Sequence, residues 1–131
     1  MQNRDTFLAD PRNIGAAESY LRRGLEALLD VGRHILAKGF GLAVSEYKEI
    51  GAALRRQGVL AEDEAKTLRM MAGYRNRLVH FYYEVTAEEL YQICVHELSD
   101  VERISDAYRR WLNAHPEKAQ ADVSGLGREN E

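Results

Sequence analysis

Apolar residues recur every three or four positions along almost the whole chain, and that periodicity excludes most folds. Ile14, Ala17, Leu21, Leu25, Leu28, Val31 and Ile35 trace one stripe, and Leu90, Cys94, Val101, Ile104, Tyr108 and Leu112 trace another. Residues so spaced share a face only on a helix of 3.6 residues per turn. The sequence shows no strand alternation, hairpin signal or internal repeat. Local punctuation divides the pattern. Asp10 and Pro11 supply an N-cap and a first-position proline for a long helix, which Gly39 and Gly41 are expected to stop. Ser45 is the expected cap of a second, shorter helix running to about Gln57, with Gly58 placed for a left-handed end. A third helix begins near Ala61, where Glu62, Asp63 and Glu64 complement the dipole of its first turn. Thr86-Ala87-Glu88-Glu89 reads as a capping box for a fourth, which must end before Pro116. An all-α, antiparallel four-helix bundle over residues 1–115 is expected, followed by a flexible C-terminal tail over 116–131, which is rich in charge and holds Gly125 and Gly127.

Composition narrows the class. The chain of 131 residues suits one domain, and a protomer of this size leaves apolar surface that association would cover. Cys94, the single cysteine, excludes an internal disulfide, and no apolar run approaches the roughly 18 residues of a membrane span. A charged N-terminal stretch without an apolar signal core points to the cytoplasm. The net charge of −3 argues against a protein that coats nucleic acid generally, yet the cations are 14 Arg against 4 Lys. Arg is favoured where forked contact with phosphate or carboxylate matters, so a local basic cleft is compatible with the acidic whole; genome composition or thermal adaptation explains the same bias.

Chemistry concentrates in Arg75-Asn76-Arg77-Leu78-Val79-His80-Phe81-Tyr82. A guanidinium can hold a phosphate oxygen through two parallel hydrogen bonds, and His is the side chain that exchanges protons near neutral pH. Standing alone, such a pair is by default two surface residues near a helix end. On a regular helix Arg75 and His80 leave the axis roughly 140° apart, whereas Tyr82 would fall within roughly 20° of Arg75. Either the helix unwinds near His80, or Arg and His from two chains complete one site across a two-fold axis. Asn76 reads as an RNA ligand or a support for His80, or else as a local capping residue. Arg77, one turn before His80, reads as a second cation or as the partner of Glu84. Tyr82 and Tyr83 are by default packing or interface aromatics. His34, His96 and His115 lack ligand-spaced partners, Glu46 and Glu49 fit a solvated face, and no Gly-rich phosphate loop is present, so no metal site and no cofactor are expected.

The Arg-Asn pair, His80 and Tyr82 together resemble the signature of the HEPN superfamily, and of its HepT-like branch of ribonuclease toxins. The resemblance spans about Asp10 to Leu112: a long helix carrying Asp30-Val31-Gly32-Arg33-His34-Ile35-Leu36, then Ser45-Glu46-Tyr47-Lys48-Glu49-Ile50, then Met71-Ala72-Gly73-Tyr74-Arg75-Asn76, and a last amphipathic helix. Family members commonly carry a further helix ahead of the first long one, for which Met1 to Ala9 leaves room for only a turn or two. The resemblance implies a homodimer whose two motifs surround one cleft and cleave RNA without metal, leaving a cyclic phosphate. Arg75 and His80 are then the catalytic residues, with Asn76 and Arg77 in support. It further implies a toxin–antitoxin module whose cognate minimal nucleotidyltransferase silences the toxin by adenylylating Tyr82. The main alternative is a non-enzymatic subunit that binds a nucleotide or docks the nucleotidyltransferase, and a plain dimeric scaffold is the third reading.

Overall fold

The computed structural model describes residues 3–118, and every regular element among them is helical. A short α1 (Arg4–Ala9) precedes four principal helices: α2 (Pro11–Phe40), α3 (Tyr47–Arg56), α4 (Glu62–His80) and α5 (Ala87–Ala114). A single 3-10 turn at Tyr82–Glu84 lies between the last two. At 1.5 Å per residue α2 is about 45 Å long, and it touches every other helix. The six residues of α1 are capped by Asn3, whose side chain accepts from Thr6 N at 2.8 Å, and Phe7 is buried beside the Tyr91 ring.

Most of the local signals act as read. Asp10 accepts from Arg12 N ahead of Pro11, Thr86 Oγ1 accepts from Glu89 N, and α5 stops at Ala114. Gly41 (φ 65°) and Gly58 (φ 78°) take the left-handed conformation that side chains disfavour. Two boundaries and one core position differ. Gly39 lies inside α2, which runs on to Phe40 and ends at Gly41. Ser45 does not cap α3; Glu46 occupies that position without a side-chain cap bond. Val31 is 44% exposed, because the buried face of α2 follows Leu25, Leu28, Leu29, Gly32, Ile35 and Leu36.

The core joins that face to Ile50 and Leu54 of α3, Leu68 and Met71 of α4, and Ile104 and Tyr108 of α5. Full burial of side chains this large contributes about 1.5–3 kcal/mol each. Polar ties fix α4 against α5: Glu64, nearly buried, accepts from Ala61 N and from Arg110, while Arg103 donates to Thr67 Oγ1 at 2.7 Å. Of the expected tail, residues 116–118 are described, and Lys118 Nζ donates to Gly39 O at the end of α2; the remainder lies outside the described residues. Among the described residues no helix is long and apolar enough to cross a membrane.

Candidate ribonuclease site

The motif occupies the last turns of α4. This helix starts with three acids in its first turn and stays regular through His80, after which Phe81 (φ −134°, ψ 35°) leaves it. Arg75 and His80 therefore sit on unbroken helix, about 140° apart and about 7.5 Å along the axis. Unwinding between the two residues is not how this chain brings them together. No hydrogen bond or ring contact among the described residues links them.

Arg75 points into the bundle. Its side chain is 20% exposed, with the guanidinium carbon 4.6 Å from the centroid of the Tyr47 ring at the start of α3. Nη1 donates to Asn76 Oδ1 at 3.2 Å, Nη2 lies 3.8 Å from Glu26 Oε2, and Nε is buried without a hydrogen-bond partner among the described residues. Glu26 also takes Arg22 at 2.9 Å. The Tyr47 ring carries the Arg33 guanidinium as well, at 4.9 Å, and its hydroxyl donates to Asp30, which also pairs with Arg33. Burial, followed by the bond to Asp30, pushes the Tyr47 phenol above its usual pKa, so the ring is a neutral platform. Arg33, Arg75 and Asp30 meet this ring, and through Glu26 the network extends to Arg22, three guanidiniums and two carboxylates in all on a negative protein.

Arg77 faces the other way. It meets Glu89 of α5 through two parallel contacts, the longer at 3.1 Å, and not Glu84 as its sequence position allowed. Because the chain breaks helix at Phe81, the residue seven positions on no longer lies two turns above. The hydrogen bond to Glu89 raises the Arg77 pKa and lowers that of Glu89, which is also why Glu89 does not complete a capping box with Thr86.

His80 ends α4 exposed, and among the described residues its ring contact is with Phe81, centroids 6.5 Å apart. Tyr82 does not continue the Arg75 face, as a straight helix would have made it. It lies in the 3-10 turn, 62% exposed, with the Tyr83 ring edge-on at 6.0 Å. Phe81, Tyr82 and Tyr83 thus form a projecting aromatic edge beside His80.

Residues 1–108 match the family model described as ribonuclease HepT-like. The chain belongs to the HepT-like ribonuclease family. No curated protein and no solved structure matches the chain. In this HepT-like protein, then, a part-buried guanidinium suited to phosphate charge and an exposed imidazole suited to proton transfer occupy one helix end in orientations that a single protomer does not converge. Among the described residues no three His, Cys, Asp or Glu side chains are gathered to hold a metal ion.

Sequence reasoning gave no role to Tyr47, Glu26, Asp30 or Arg33. The available signal was Glu26, Asp30 and Arg33 at spacings of four and three, which sets charge on one face of α2. Glu97 was also missed: it is 2% exposed, its Oε2 has no partner among the described residues, and burial, then the nearby Asp100, pushes its carboxyl up to about 7.

Proposed function

We propose that the protein is a metal-independent endoribonuclease that works as a homodimer, with Arg75 and His80 of both protomers around one cleft. The observation that carries this reading is the divergence of Arg75 and His80 on a regular helix, in a chain that belongs to a ribonuclease family. In the reaction, one His80 takes the proton of the RNA 2′-hydroxyl as that oxygen bonds to phosphorus. The bond from phosphorus to the 5′-oxygen breaks, and the other His80, protonated, supplies the leaving oxygen with its proton. The two Arg75 guanidiniums stabilise the phosphorane, and the products are a 2′,3′-cyclic phosphate and a 5′-hydroxyl. Tyr47 holds Arg75 in place, Asn76 orients one of its nitrogens, and Arg77 fixes the junction of α4 and α5.

The same reading makes the protein a cytoplasmic toxin whose partner nucleotidyltransferase adenylylates Tyr82. The exposure of that phenol, one residue past the end of α4 and its C-cap, supports access by an enzyme. A bulky anion there would stand at the mouth of the cleft.

Arg75→Ala and His80→Ala should each lower RNA cleavage by at least about 100-fold with the helical fold retained, and the double variant should be little worse than either. Cleavage should persist in EDTA. Tyr82→Phe should cleave normally and escape covalent silencing by the coexpressed partner. Loss of activity with EDTA, full activity in both single variants, or adenylate confined to Tyr83 would each contradict the corresponding step. A parent protein that does not cleave RNA when prepared without its partner would instead be a docking subunit.

A further inference from the structure

From Ala65 to His80, α4 carries no acidic residue, although its first turn holds three. Within that stretch Lys66, Arg69, Gly73, Asn76 and His80 follow one another at spacings of three and four, so they share a face. At its far end this face opens into a groove of about 380 Å³ between α3 and α4. Arg55 and Arg56 form one wall, Lys66 and Arg69 the other, and Ala52 and Ala65 the floor. The two helices approach closely there: a Cβ on Gly51 would lie 2.6 Å from Ala65 O. Four cations thus flank a narrow, small-residue floor against a single lining acid, Glu62.

Glu62 neutralises little of this charge. It lies 3.8 Å from Arg55 and 3.7 Å from Lys66, and all three side chains are more than half exposed, a setting in which ion pairs are weak. Arg56 and Arg69 make no ion pair or hydrogen bond to any described residue. Midway to His80, a Cβ on Gly73 would meet nothing within 4 Å, so no side chain blocks the face.

We infer that this groove holds the phosphate backbone of the RNA substrate at a distance from the cleaved bond, the strand running along α4 from His80. The inference rests on the ribonuclease reading and extends the substrate contacts beyond the motif. Arg69 stands eleven residues before His80, about 16 Å of helix. At roughly 3.4 Å per stacked nucleotide, that separation corresponds to about five nucleotides. A chain with net charge −3 repels polyanions over much of its surface, so a local cation channel decides where a strand can lie. Backbone contacts of this kind position RNA without reading its bases, so the groove sets a length requirement and not a sequence.

The test uses binding, so that it does not depend on cleavage. In the His80→Ala background, fluorescence anisotropy measures single-stranded RNAs of about 4 and about 12 nucleotides, with and without Arg56→Glu plus Arg69→Glu. Arg23→Glu plus Arg109→Glu, an equal charge change away from the groove, is the control. The groove pair should weaken the longer RNA at least about tenfold, lower the salt slope by about 1.4, and leave the shorter RNA unchanged. The control should do none of these. Equal loss in the control, unchanged binding of the longer RNA, or a groove pair that loses only the nucleotidyltransferase would overturn the inference. In the His80-intact protein, groove-dependent binding without cleavage would remove the ribonuclease reading and leave the groove. Cleavage that ignores the groove pair on long RNA would remove the groove alone.

Discussion

At the scale of single residues, the sequence singled out Arg75 and His80 as candidates but not what holds them. Arg75 and His80 stand out because of what their side chains can do, and the sequence places them on one helix. The partner of Arg75 is Tyr47, which lies far earlier in the chain, and such pairing depends on how α3 meets α4. Arg77 shows the same limit, since its nearest acid in sequence is Glu84 and its partner in space is Glu89. The Tyr47 platform is testable. A cation over an aromatic face is stabilised by about 0.5–2 kcal/mol, so Tyr47→Ala should lower cleavage roughly two- to thirtyfold. Tyr47→Phe keeps the ring and should stay within about threefold of the parent; equal activity of Ala and Phe variants in kcat would remove Tyr47 as a positioning residue. Glu97 gives a second prediction. Its folded pKa of about 7 lies above the ordinary 4.5, so the folded state holds a proton that the unfolded state has released between those values. Its contribution is therefore fully present below about pH 4.5 and is lost as pH rises through about 7. Glu97→Gln removes this dependence, so the variant should gain about 2 kcal/mol relative to the parent between pH 5 and pH 8. Denaturant curves at the two pH values measure it, and a constant difference would show that Glu97 titrates normally.

At the scale of elements, caps and breakers were legible because each acts within a few residues. Asp10, Gly41, Gly58, Thr86 and Pro116 need only their neighbours to act. Ser45 failed as a cap because the first turn of α3 begins one residue later than its side chain requires, and Gly39 is a helix residue because Gly41 takes the left-handed turn. The break at Phe81 was the costliest miss. It moved Tyr82 off the Arg75 face, and no proline or glycine marks it. Arg77 and Glu89 bracket that break, one on each side, and so tie α4 to α5 across the exposed aromatic edge. Both are a little over one third exposed, so their coupling in a double-mutant cycle should be modest, about 0.5–1 kcal/mol. The Arg77→Gln variant should also lose protection from amide exchange at Phe81 to Glu84 before the rest of the bundle does. Zero coupling with unchanged exchange would mean that the 3-10 turn is held by other contacts.

At the scale of the whole molecule, the helical fold was legible from periodicity, and the family from the motif together with the order of elements. The homodimer, expected from the motif geometry and the resemblance, stays a proposal that the exposed surface of one chain supports. Val79 of α4, Val95 and Leu98 of α5, and the aromatic edge between the two helices are all exposed. A two-fold pairing over this surface would bring two motifs together and cover apolar area that a monomer leaves in water. The central claim, one cleft that uses Arg75 and His80 from both protomers, is tested most directly by subunit mixing. Parent and His80→Ala chains are unfolded together in equal amounts, refolded and assayed on RNA, with light scattering confirming a species of twice 14.9 kDa. If each dimer needs both histidines, only parent–parent pairs act and activity falls to about a quarter, following the square of the parent fraction. Activity of about half, linear in the parent fraction, would show that each protomer cleaves alone and would contradict the shared site.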